Sequence, residues 1–321
     1  MIRSIPVLIL AAAIAMAADE KPKRIAIADP KELKDDADFA IQGEYAGEKR
    51  GVQVIARGQG KFDVVDYAGG LPGAGWDGKA PNRKLKAKSK DGKVEVYEGE
   101  NLVATIIDGA YAPVELKGGQ FKKTERKSPT IGAKPPKDAV VLFGEAGDEK
   151  NWSDGKIVEL SDGKYLNNGI KSKAKFGAFK LHVEFRLPWM PNSTGQQRGN
   201  SGVYLQDRYE LQVLDSFGLK GEDNECGGIY TLHKPKVNAC LPPLAWQTYD
   251  IDFTPATFVG GKKTKTARVT IEHNGIVIHE AAELKGPTGG GQNEDDTPGP
   301  IQFQDHGDPV VYRNVWIAEK K

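Results

Sequence analysis

Phe179-Lys180-Leu181-His182-Val183-Glu184-Phe185-Arg186 alternates apolar and polar residues without a break. Successive side chains of a strand point to opposite faces. Phe179, Leu181, Val183 and Phe185 therefore share one side, and Lys180, His182, Glu184 and Arg186 the other. On a helix the same four apolar residues would scatter around the axis, so a strand with one face in a core is predicted.

The period of two recurs on either side of this stretch. Tyr209 to Asp215 sets Leu211 and Val213 against Glu210 and Gln212, and Thr248 to Phe253 alternates in the same way. Ala267–Glu272 and Ile276–Glu280 flank His273-Asn274-Gly275, where Asn-Gly suits a tight hairpin turn. A turn of that kind leaves His273 exposed. Upstream, Val52–Ala56 and Lys61–Val65 bracket Gly58-Gln59-Gly60, Leu85–Lys88 and Val94–Tyr97 bracket Asp91-Gly92, and Leu102–Ile107 ends at Asp108-Gly109. Nothing carries a long helical period. The fold class is all-β: a C-terminal two-sheet sandwich or jelly roll preceded by a smaller β-rich domain.

Length agrees with two units, since 321 residues is about twice the usual domain size. The Pro-rich stretch 128–137 is the expected linker between a small domain, 39–127, and the jelly roll, 138–321; residues 18–38 read as a tail or edge segment. Residues 18–137 hold 23 Lys and Arg against 19 Asp and Glu, whereas 138–321 hold 21 against 25, so the charge changes sign at this boundary. A formal net charge of +1 argues against a nucleic-acid partner.

Met1 to Ala17 has the form of an export signal: Arg3, an apolar run, then Ala15-Met16-Ala17 as cleavage site. The run is too short to span a bilayer, so an exported protein, periplasmic or secreted, without a membrane span is expected. In an oxidising compartment Cys226 and Cys240 are expected to pair as a disulfide.

No Walker loop, H-E-x-x-H, G-x-S-x-G or EF-hand loop is present. Gly286-Pro287-Thr288-Gly289-Gly290-Gly291 follows no strand–helix unit and reads as a flexible loop. The informative residues are polar ones set into strands of the second domain: Glu184 with Arg186, Glu210 with Gln212, Asn200-Ser201-Gly202, and Gln302 to Gly307. Each alone is ordinary sheet surface. Together they describe an open face rich in carboxylate, amide, guanidinium and imidazole, which suits sugar hydroxyls. Trp152, Trp189, Tyr204, Tyr230 and Trp246 are candidate stacking surfaces.

Seven motifs occur in a fixed order: Phe185-Arg186, Asn200 to Leu205, Tyr209 to Asp215, Gly228-Ile229-Tyr230, Trp246 to Ile251, His273-Asn274-Gly275 and Gln304-Asp305-His306-Gly307. With the closing Arg313 to Ile317 they resemble the 3-keto-disaccharide hydrolase domain family, a concanavalin-like jelly roll, over about residues 140–317. The resemblance implies an exported glycan-degrading enzyme whose substrate is an oxidised oligosaccharide or glycoside, a sugar bearing a ketone at C3. That ketone acidifies the C2 proton. A base removes it, the group on C1 departs, and water adds, so the outcome is hydrolase or lyase chemistry.

On this reading His306 or Glu210 is the base, Arg186 stabilises the enediolate, and Tyr230 is an acid or hydroxyl donor. Glu184, Gln212, Tyr204, Gln304 and Asp305 bind substrate. Glu184 and Gln212 are also compatible with holding a divalent metal, though no spacing demands one. A non-catalytic carbohydrate-binding module is the rival reading, because fold does not fix function.

Overall fold

The computed structural model describes residues 24–80 and 82–320; the expected export signal, residues 1–17, lies outside them. Two β units pack against each other.

The first is a closed barrel of eight antiparallel strands: Gly43–Ala46, Arg50–Gly58, Lys61–Ala68, Asn82–Lys90, Lys93–Glu98, Asn101–Ile107, Ala110–Pro113 and Phe121–Thr124. Each pairs with the next in sequence, and the last returns to the first with Glu44 opposite Thr124. Closure removes both sheet edges. The turn residues match the geometry. Asp91-Gly92 and Asp108-Gly109 both have positive φ (50° and 77°; 49° and 72°), the condition for a two-residue hairpin that keeps the strand twist.

The second unit is a sandwich. Its larger sheet runs, in spatial order, through Ile157–Leu160, Gly163–Leu166, Val311–Glu319, Phe179–Arg186, Trp246–Thr254, Ala267–His273 and Ile276–Leu284, with Val140–Phe143 also paired to Val311–Glu319. The smaller sheet runs Trp152–Ser153, Ile170–Ser172, Gln302–Phe303, Ser201–Leu205 and Tyr209–Val213. Phe179, Leu181, Val183 and Phe185 from the first sheet meet Val203, Leu205, Leu211 and Val213 from the second in one buried cluster. The alternation read from the sequence is thus the inner face of the sandwich.

The units share core. Trp189, from the sandwich chain, is wholly buried in the barrel's apolar cluster, with Phe39 edge-on at 5.2 Å. Ile27 and Trp189 exchange backbone hydrogen bonds of 3.0 and 2.8 Å, so the described part of the N-terminal segment, from Arg24 on, bridges the units. Burying a Trp in this way is worth about 3–5 kcal/mol against truncation to Ala.

The expected linker is likewise bound down. Ser128 Oγ lies 2.6 Å from Thr248 Oγ1, the Gly132 amide donates to Glu184 at 2.6 Å, and the Ala133 carbonyl accepts from Asn314 and Trp316, each at 3.1 Å. Proline marked a boundary in composition, but the segment's polar groups found partners on the larger sheet. Among the described residues no helix is long and apolar enough to cross a membrane.

The disulfide expectation is corrected. Cys226 and Cys240 are free and fully buried: Cys226 Sγ lies 3.2 Å from the Tyr249 hydroxyl, and Cys240 Sγ 3.4 Å from the Leu241 carbonyl oxygen. The two thiols are neighbours in the core and interact with each other, but no S–S bond joins them. His273 is also corrected. It is buried, with Nε2 3.0 Å from Gln247 Oε1, and burial holds its pKa down at about 3.

Candidate active site

In a sandwich, the residues that alternate with the core point outward, and the two sheets turn their outer faces to opposite sides of the molecule. That rule divides the predicted residues. Tyr204, Glu210, Gln212 and Gln304 lie on the outer face of the smaller sheet. Glu184 and Arg186 lie on the outer face of the larger one, with the shared core between the two groups. A single hollow collecting all of them, as expected from sequence, is therefore not formed. Alternation reports that a side chain is off the core, but not on which side of the molecule it emerges.

Glu184 and Arg186 have structural partners. Glu184 accepts from the Gly132 amide (2.6 Å), Arg313 Nε (2.7 Å) and Asn314 Nδ2 (2.8 Å), and His182 Nε2 stands 3.5 Å away. Burial alone would raise its pKa, but these partners outweigh it and hold the carboxyl near 2. Arg186 pairs with Asp162 at 2.5 Å, and its guanidinium sits 4.9 Å from the rings of both Tyr165 and Trp246. Neither group is available to an enediolate on the far side of the sandwich.

The smaller sheet builds the site. Ser201–Leu205 and Tyr209–Val213 are register partners, which places Tyr204 opposite Glu210 and Gly202 opposite Gln212. Tyr204 donates its hydroxyl to Glu210 Oε2 at 2.8 Å. Gly202 makes room for the acid: a Cβ there would come within 2.5 Å of Glu210 Oε1. Glu210 is buried (3% exposed) with no cationic partner among the described residues, and burial raises its pKa to about 7 despite the Tyr204 hydrogen bond, which lowers it. A carboxyl in that range accepts or releases a proton at neutral pH.

Amides surround it. Gln304 Nε2 reaches the Tyr204 hydroxyl at 3.3 Å, while Gln212 Nε2 and Asn200 Nδ2 reach Gln196 Oε1 at 3.4 and 3.2 Å. The side-chain oxygens of Gln212, Gln304 and Asn200 are all buried without a partner. Leaving a buried acceptor unmade costs roughly 1–3 kcal/mol, so three on one face ask for donors from outside. Carboxylate plus free amide oxygens is an acceptor-rich cluster buried at this face, complementary in chemistry to a ligand that carries many hydroxyls.

Two further elements frame the face. Tyr230 is half-buried, and its amide donates to the Glu210 carbonyl at 3.1 Å. Its ring stands beside Gly289. The glycine-rich loop is held, not free: the Thr288 amide donates to Arg208 O at 3.0 Å, the Glu210 amide to Thr288 Oγ1 at 2.8 Å, and the Gly289 carbonyl oxygen lies 3.0 Å from Tyr204 Oη. Thr288 was not singled out from sequence; nothing but its fold neighbours marks it.

Beyond Gln302–Phe303, Asp305 and His306 are exposed on a loop, with Asp305 Oδ1 accepting from the Gly307 amide at 2.7 Å. The loop is anchored one residue past the motif read from sequence, where buried Asp308 accepts from the Asn200 amide at 2.8 Å. Lys171, also missed, bridges to Asp207 at 2.7 Å at the rim of the same sheet. Among the described residues no three His, Cys, Asp or Glu side chains gather in a metal-binding group, and Glu184 and Gln212 stand on opposite faces of the sandwich.

The remaining aromatic candidates divide as well. Trp152 and Trp189 are core, and Trp246 lies on the larger sheet beneath Arg313.

Residues 118–318 match the sequence profile of the 3-keto-alpha-glucoside-1,2-lyase-like domain, from the last barrel strand through the sandwich. A solved protein of Parabacteroides distasonis ATCC 8503, described as a "putative glycosyl hydrolase", is 33% identical; the match covers 70% of this chain and 94% of that one, with a TM-score of 0.51. Two other solved chains of that organism, under the same description, are 19% and 18% identical over 57% of this chain, with TM-scores of 0.39 and 0.40. No curated protein sequence matches the chain.

Proposed function

Because the chain belongs to the 3-keto-alpha-glucoside-1,2-lyase-like domain family, and with it to the glycoside-acting enzymes, we propose that it is an exported enzyme that cleaves 3-keto-glycosides at the smaller-sheet face. Glu210 is the base. Its carboxylate takes the C2 proton, and the electron pair passes into the C2–C3 bond as the C3 oxygen becomes an enediolate. That pair then returns to form C1=C2 as C3=O is restored and the C1–O bond breaks. The departing oxygen takes up a proton. Water adding across C1=C2 completes a hydrolysis; release before that step is lyase activity.

The other residues bind and orient. The unpaired oxygens of Gln212, Gln304 and Asn200 accept sugar hydroxyls. The Tyr230 hydroxyl, which has no hydrogen-bond partner among the described residues, donates to the leaving oxygen, and His306, at the exposed end of the face, supplies or relays a proton. Paired carboxylates at glycosidase spacing are not needed, because the ketone makes the barrier one of carbon deprotonation.

The observation that carries this reading is one buried, cation-free carboxyl with a pKa of about 7 on an acceptor-rich face. The decisive assay is product formation from 3-keto-trehalose or a 3-keto-aryl glucoside in deuterated water, with and without chelator. Wild-type protein should release the aglycone and Glu210→Gln should not. Affinity without product would make the chain a binding module instead.

A further inference from the structure

The barrel and the sandwich leave a cavity of about 510 Å³ at their junction, on the side of the molecule away from Glu210. That volume is within the range of small-molecule sites, which favour domain interfaces. Phe39, Ile131, Leu244 and Trp246 supply apolar wall, and Lys127 and Arg313 supply positive charge.

The polar groups here have the opposite character to those around Glu210. The acid within the cavity, Glu44, is already engaged by Arg126 and by Gln53 Nε2 (2.9 Å). Arg313 uses Nε on Glu184, and its guanidinium lies 3.9 Å from the Trp246 ring centre, with both amino groups free of hydrogen-bond partners among the described residues. Lys127 is exposed and also without a partner among the described residues, while Glu125 at the rim faces Lys123. Uncommitted donors thus sit beside an aromatic and aliphatic wall. Leu244 adds a second sign: it holds φ +65°, a left-handed conformation costly for a leucine, fixed by the hydrogen bond its amide donates to Leu187 O at 2.9 Å. Such strain concentrates at functional positions.

We propose that this junction is a second ligand site, for a single ring bearing a carboxylate. The ring lies along the apolar wall and the carboxylate is taken by Arg313 and Lys127, a charge-assisted contact to a planar fork. The carboxylate ring has two sources, a sugar acid or an aryl acid, and the site is distinct from the catalytic face.

Isothermal titration of the full chain with glucuronate, benzoate and glucose tests this. At least one acid should bind saturably at one site per chain, and glucose should not. Glucuronate alone identifies a sugar acid, and benzoate alone an aryl acid. Lys127→Gln, an exposed change, should weaken binding several-fold, and Arg313→Gln at least tenfold. Ala245→Trp, which fills the cavity, should abolish binding while turnover of a 3-keto-glucoside stays within about twofold. Failure of both acids to bind, glucose binding as tightly as glucuronate, or binding that survives Ala245→Trp each overturns the proposal. So does loss of turnover with binding in a folded Ala245→Trp variant, which would merge the two sites.

Discussion

Tyr204 and Glu210 face each other across two register-paired strands, and the tyrosine hydroxyl donates to the carboxylate at 2.8 Å. This is the one contact that favours the ionised acid; burial opposes it and prevails. The balance sets where the carboxyl titrates, so it can be moved by a single oxygen atom. Tyr204→Phe removes the hydrogen bond and leaves the burial, which lifts the Glu210 pKa above about 7. The limb of the pH–rate profile should move to higher pH, with the plateau rate at high pH lowered less than tenfold. A profile unchanged in Tyr204→Phe would mean that another group titrates.

The base itself should be worth far more. A general base contributes about 10²–10⁴-fold, so Glu210→Gln should lower kcat on a 3-keto-glucoside by at least a hundredfold with KM little altered. In the wild type, activity should rise with pH to a plateau above about 7, because the carboxylate is the active form. His306→Ala, on the exposed loop, should cost less than Glu210→Gln; the reverse order would reassign the base.

Glu184 and Arg186 should behave as scaffold. Glu184→Ala strips a buried acceptor from Gly132, Arg313 and Asn314, and breaking such a buried ion pair costs about 3–5 kcal/mol. Denaturant unfolding should register that loss, while the folded fraction should retain turnover within a few-fold. A folded, stable variant without activity would return Glu184 to the active site.

Where the sequence was legible, it was legible through local rules. The turns Asp91-Gly92 and Asn274-Gly275 have positive φ at both residues and sit where the hairpins were expected. The alternation of Phe179–Arg186 located the core face. Glu210, Gln212 and Tyr204 share one face because register-paired strands of one sheet carry them, and Gln304 joins them just past the strand Gln302–Phe303. Barrel closure and the split between Glu184 and Glu210 were not readable, since both depend on which strands pair at long range and on which sheet each joins. The contacts of Tyr204 with Gly289 and of Arg208 and Glu210 with Thr288 pin a glycine-rich loop that looks free in the sequence for the same reason: its partners are 78 to 85 positions away.

The two cysteines give a test that does not depend on the reaction. Both are free and buried, with Cys226 against Tyr249 and Cys240 against main-chain carbonyls. A thiol reagent should label neither in the native protein and both in denaturant, without any reductant. Labelling that appears only after reduction would restore the disulfide.

Glu210 also ties function to stability, with a sign that can be worked out. Its carboxyl titrates at about 7 when folded and near its ordinary 4.5 when unfolded. Below 4.5 both states hold the proton and the group is neutral to folding. Between 4.5 and 7 the folded state binds more protons, so stability falls as pH rises, and above 7 the loss is complete. At 1.36 kcal/mol per pKa unit the full effect is roughly 3 kcal/mol. Glu210→Gln keeps the shape and removes the charge. Its stability should match the wild type near pH 4 and exceed it increasingly up to pH 8, in thermal or urea unfolding at matched ionic strength. A constant difference across that range would show that Glu210 is ionised throughout, and with it the argument for a neutral-pH base would fall.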